Sequence, residues 1–105
     1  MKYIYPAIFF PDDDCIGVHF YDAENWLTFG RTFSEAIKNA EDVLNFALWS
    51  AETDGDKIPI PTPFKNIELK EHESVMMIHA DTKAYAELMA KMHFDDEENY
   101  ISKKA

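Results

Sequence analysis

The 105 residues fit one domain, and 47% of them are hydrophobic, with eight Phe, five Tyr and two Trp, which excludes a disordered acidic tail. No stretch approaches the roughly 18 uncharged apolar residues that span a bilayer, and the opening Met1-Lys2-Tyr3-Ile4-Tyr5-Pro6 lacks a signal-peptide pattern, so a cytoplasmic location away from membranes is expected. The net charge of -10 repels phosphate backbones and suits a basic partner better than nucleic acid, although surplus acid also serves as a solubility device.

Tyr3 to Phe10 is apolar on both alternations and ends in Pro11-Asp12-Asp13-Asp14, which predicts a strand running into a turn. Pro6 has no amide donor, so this strand has an edge there or carries a bulge. Cys15 to Tyr21 alternates cleanly, with Ile16, Val18 and Phe20 on one side, and makes the hairpin partner. Trp26 to Arg31 is a third, shorter strand candidate. Thr32 stands three residues before Glu35, the arrangement that starts a helix by satisfying its orphan amides. Phe33, Ala36, Ile37, Ala40, Val43, Leu44, Ala47, Leu48 and Ala51 then form one apolar stripe that lies on the sheet. Phe46 and Trp49 project away from that stripe and call for either an interface or a cover from the Pro59 to Phe64 connection. Gly55 ends the helix, and the prolines of Ile58-Pro59-Ile60-Pro61-Thr62-Pro63 require an extended connection. Glu73 to Ala80 reads as a fourth strand, after which Asp81 caps a short helix carrying Ala84, Tyr85, Leu88, Met89 and Met92. The acidic segment from about 94 to 105 frays. The expectation is a single α+β domain over 1–105, in the order β-β-β-α-β-α, with the long helix packed on one sheet face.

Tyr5-Pro6-Ala7-Ile8-Phe9, followed by an acidic turn, a second strand and then Thr28, Gly30, Thr32, Glu35-Ala36, Ala40 and Leu44, resembles the N-terminal domain of HicB-type antitoxins. Ile58-Pro59-Ile60-Pro61 is similar to the family's proline-bearing segment, and Met77 to Thr82 with Tyr85 is similar to its closing strand and helix. The resemblance covers roughly Tyr3 to Tyr85. It implies a partial RNase H-like fold and a role in binding and neutralising a small basic HicA-type toxin that degrades messenger RNA. One departure is that the family's Leu-Pro-Gly-Cys turn is replaced by Ala23-Glu24-Asn25-Trp26. Another is that many members add a C-terminal DNA-binding domain, whereas 20 acidic-rich residues follow Tyr85 here, so no direct nucleic-acid contact is expected.

A metal-dependent nuclease, or another small enzyme, is the competing class, since an RNase H-like fold can hold two metal ions on converging carboxylates. Tyr3 to Phe10 contains no carboxylate, and Asp12, Asp13 and Asp14 diverge in a turn. His19, His72, His79 and His93 lack the spacing that puts two on one metal, and Cys15 has no neighbouring base or second thiol. Neither a catalytic residue nor a metal nor a cofactor is therefore expected. An orphan binding module without a toxin is the remaining alternative. Trp26 and Phe29, beside the altered turn, together with Asp12, Asp13 and Asp14, are the expected contacts for the basic partner. Phe46 and Trp49 are the expected self-association surface of a homodimer or higher oligomer.

Overall fold

A strand with apolar residues on both faces belongs inside a sheet, and β1 (Lys2–Asp12) lies there. It pairs with β2 (Cys15–Phe20) on one side and β4 (Ser74–Asp81) on the other, while β3 (Ala23–Gly30) pairs with β2, giving an antiparallel sheet in the order β3-β2-β1-β4. The computed structural model describes residues 1–92; the expected tail from about 94 and His93 lie outside them. The helix α1 (Phe33–Asp54) covers one face of the sheet, and a second helix, α2, follows β4 directly over 82–92. The architecture is α+β and keeps the expected element order.

The core forms where the sheet and α1 meet. Tyr5, Ala7, Phe9, Val18, Phe20, Ile78 and Ala80 pack against Ala36, Ala40, Leu44 and Leu48. The buried stripe of α1 is narrower than the sequence pattern, being Ala36, Ala40, Leu44, Leu48 and Ala51 at three- and four-residue steps. Phe33 stays substantially exposed and stacks on Phe9 at 5.0 Å. At its start the Thr32 hydroxyl accepts the Glu35 amide at 3.1 Å, while the Glu35 carboxylate reaches back to the Arg31 amide, one residue before the usual box partner. Gly55 ends the helix at φ 72°, its amide bonded to the Ala51 carbonyl.

Pro6 sits in the middle of a central strand without a bulge, because pairing with β2 stops at Ala7↔Phe20. The Tyr21 amide donates to the Pro6 carbonyl at 3.0 Å, so the side on which proline lacks a donor is the side where β2 has just turned away. Two shifted boundaries bear on the candidate residues. β1 runs on to Asp12, which pairs with Cys15, leaving Asp13 and Asp14 as the turn, with Asp13 at φ 53°. β3 begins at Ala23, so Ala23 to Trp26 is strand and the reversal falls at Tyr21 and Asp22. The Asp81 cap is present, accepting the Ala84 amide at 3.1 Å, yet Leu88 and Met92 on α2 are about half exposed.

Two asparagines of α1 touch the outer edges of the sheet. Asn39 donates to the Phe29 carbonyl on β3 at 2.8 Å, and Asn45 accepts the Asp81 amide on β4 at 3.0 Å. Between α1 and β4 the chain is pinned at Pro59, whose carbonyl accepts the Tyr5 hydroxyl, and at Thr62, whose amide and hydroxyl both bond the Asp22 carboxylate. Beyond the short turn Phe64–Asn66, Glu68 to Lys70 reach the face of the sheet opposite α1, where they stand beside Phe10, Gly17 and His19.

Candidate partner-binding surface

Among the described residues, the side of the sheet away from α1 is only partly covered. Alternation places Ile8 and Phe10 of β1, Gly17 and His19 of β2, and Leu27 and Phe29 of β3 there. With Leu69 from the connection they line an open groove of about 1170 Å³. Gly17 makes the floor possible, because a Cβ on it would stand 2.4 Å from the Phe10 ring that lies across it. His19 packs beside that ring at 5.8 Å between centroids, and its buried Nδ1 has no hydrogen-bond partner among the described residues. Leu27 and Phe29 are 63% and 60% exposed, far more than a core face would leave them.

The rim of this groove is acidic. Asp12, Glu24, Glu68 and Glu73 line it with Lys70 as the basic group, and Glu73 is held by the Lys70 amide, which donates to its carboxylate at 2.7 Å. At the end near the β1–β2 turn, Asp12, Asp13, Asp14, Cys15, Phe29 and Arg31 share a smaller depression. The Cys15 thiol donates to the Asp12 carbonyl at 3.0 Å. Partial burial, and then the charges of Asp12, Asp13 and Asp14, push that thiol above its ordinary range.

The structure therefore brings four of the five expected contact residues together, namely Phe29 and Asp12, Asp13 and Asp14, and sets Trp26 apart. Trp26 lies on the α1 side, half-buried, with its indole edge-on to Tyr5 at 6.1 Å and to Phe20 at 6.2 Å. Three residues along a strand reverse the face, so Trp26 and Phe29 cannot anchor the same partner surface. Leu27, Leu69 and His19 were not singled out from sequence as contacts; the alternation of β3 could have found Leu27, whereas Leu69 depends on where the connection runs.

The pair on α1 divides as well. Trp49 packs edge-on to Tyr85 of α2 at 5.8 Å, so α2 supplies cover for it. Phe46, at 6.2 Å from Trp49, remains 54% exposed. Among the described residues no three His, Cys, Asp or Glu side chains are grouped to hold a metal ion, and no helix is long and apolar enough to cross a membrane.

No protein-family model matches the chain, and no curated protein matches it. Solved structures do. The chain is similar over 100% of both lengths to a chain of a toxin-antitoxin complex from Streptococcus pneumoniae, with a TM-score of 0.74 and 19% identity. A chain of the HicA3 and HicB3 toxin-antitoxin complex is matched over 75% of this chain and 99% of that one, with a TM-score of 0.62 and 26% identity. The architecture is thus one found among components of toxin-antitoxin complexes. Its particular form is that of the HicB antitoxin N-terminal domain. The structure of that domain from Burkholderia pseudomallei superposes with a TM-score of 0.64 at 17% identity, over 72% of this chain and 95% of that one.

Proposed function

We propose that this protein is an antitoxin, a binding protein and not an enzyme, that neutralises a small basic HicA-type toxin by docking it on the open sheet face. The observation that carries the reading is the likeness, at 26% identity, to a chain of the HicA3 and HicB3 complex. The net charge of -10 adds the long-range attraction that a basic partner would feel. Leu27, Phe29 and Leu69 supply apolar contact area, and Asp12, Asp13, Asp14 and Glu24 supply the charged rim around it.

Co-expression with any small basic protein found encoded next to the gene, followed by capture and binding kinetics at several salt concentrations, tests this. Charges are screened beyond about 8 Å at physiological ionic strength, so added salt should lower the association rate and leave the lifetime of the formed complex nearly unchanged. Absence of binding, or association that ignores salt, contradicts the proposal.

A further inference from the structure

β4 is an edge strand whose unpaired backbone groups can be identified from register. The Thr82 amide donates to the Met1 carbonyl, toward β1, and the Asp81 amide donates to Asn45, on the opposite side. Backbone direction alternates along an antiparallel strand. Ser74, Met76, Ile78 and Ala80 therefore bond β1, while Val75, Met77 and His79 point their amides and carbonyls outward. Among the described residues nothing bonds these three.

An edge of this kind is ordinarily blunted by lysine, proline or a bulge. β4 carries none: Val75 to Ala80 reads Val-Met-Met-Ile-His-Ala, and its pairing with β1 runs without a register shift. The opposite edge, β3, is interrupted, with Glu24 in the strand, a register irregularity at His19/Phe20 of its partner and Asn39 on its Phe29 carbonyl. The three free residues of β4 are also self-complementary. Set antiparallel about a two-fold axis at Met77, Val75 faces His79 of a second copy, Met77 faces Met77, and His79 faces Val75, each facing pair exchanging two ladder bonds. Shifting the register by two residues in either direction loses one of those pairs. No Asp, Glu, Lys or Arg lies between Val75 and His79, and in this register Glu73 faces Asp81 of the second copy at each end, a like-charge contact that added salt screens.

We infer that β4 pairs edge to edge with β4 of a second copy, joining two sheets into one continuous sheet centred on Met77. This self-association uses a surface separate from the toxin-facing groove and from Phe46.

A disulfide trap tests it. Facing residues of a bonded antiparallel pair lie about 5.5 Å apart between Cα atoms, inside the roughly 4.4–6.8 Å range of disulfides. In a Cys15→Ser background, Met77→Cys should oxidise to a covalent dimer, and Met76→Cys, on the α1 face, should not. Sedimentation should show a wild-type dimer that tightens with added salt, the reverse of toxin binding, because the two copies carry like charge. Met77→Pro removes an outward amide without removing a bond to β1 and should give a monomer; Phe46→Ala should remain dimeric. A wild-type monomer at the highest soluble concentration overturns the inference, as it would if residues 93–105 or a toxin strand occupied this edge. Equal crosslinking of the two cysteine variants, or a dimer lost in Phe46→Ala and kept in Met77→Pro, also overturns it. These outcomes are independent of whether a toxin binds.

Discussion

A Cβ built on Gly30 would stand 2.3 Å from the Ala36 amide nitrogen and 2.7 Å from its Cα. These are backbone atoms of the first turn of α1, so they cannot swing aside as a ring would. The glycine marks where helix and strand come closest, and Ala36 and Ala40, both fully buried, continue that close approach. Gly30→Ala should therefore destabilise the fold by about 2 kcal/mol or more, as overpacking does, measured by urea unfolding. Gly17→Ala should cost less, because the Phe10 ring can rotate away. A second residue-scale test concerns Tyr3. Its hydroxyl donates to the Glu52 carboxylate, which also accepts the buried Thr82 hydroxyl at 3.0 Å. That hydrogen bond, then burial and the Glu52 charge, push the phenol from 10.0 up to about 12. A raised pKa favours the neutral phenol in the folded state, so this contribution to stability is complete below pH 10 and is lost as the pH rises toward about 12. Ultraviolet titration should show a tyrosine ionising near that upper value in wild type and at lower pH in Glu52→Gln. Unchanged titration would remove the Glu52 link.

At the scale of elements, much of the fold is legible because local chemistry decides it. Thr32 and Gly55 bound α1 at both ends, and Thr32→Ala should cost about 1 kcal/mol through loss of the cap. The double apolar alternation of β1 places it inside the sheet, and Pro6 falls where β2 has left it. Parity alone separates Trp26 from Phe29. What local pattern does not contain is long-range cover: Tyr85 lies 36 positions beyond Trp49 and reaches it only because α2 folds back along α1. Leu69 likewise meets the sheet only because Asp22 pins Thr62 and steers the connection around to the open face. The two β3 aromatics give a paired prediction. Trp26→Ala should lower the unfolding free energy by roughly 2 kcal/mol, since its indole packs on Tyr5 and Phe20, in line with core truncations. Phe29→Ala should leave stability nearly unchanged and raise the toxin off-rate roughly thirtyfold, the effect of losing about 2 kcal/mol of anchor contact. The opposite pattern would move the binding surface to the α1 side.

For the whole molecule, α1 covers one sheet face and, among the described residues, the other is left open, with a chemistry that matches the overall charge. An acidic rim surrounds exposed Leu27 and Phe29, and on the proposed function it would steer a basic protein in and offer it apolar anchors. The two edges divide the remaining work: β3 borders the groove, and β4, whose outward groups bond nothing among the described residues, is the edge inferred to meet a second copy. In this arrangement one toxin can dock on each protomer of a joined sheet. Neutralisation, the central claim, is tested most directly by titrating the chain into an RNA-cleavage assay of any small basic protein found encoded next to its gene. The account predicts that cleavage falls to nothing at one chain per toxin, and that Phe29→Ala shifts the titration to higher concentration while Trp49→Ala does not. Cleavage that continues undiminished in excess of the wild-type chain would contradict it.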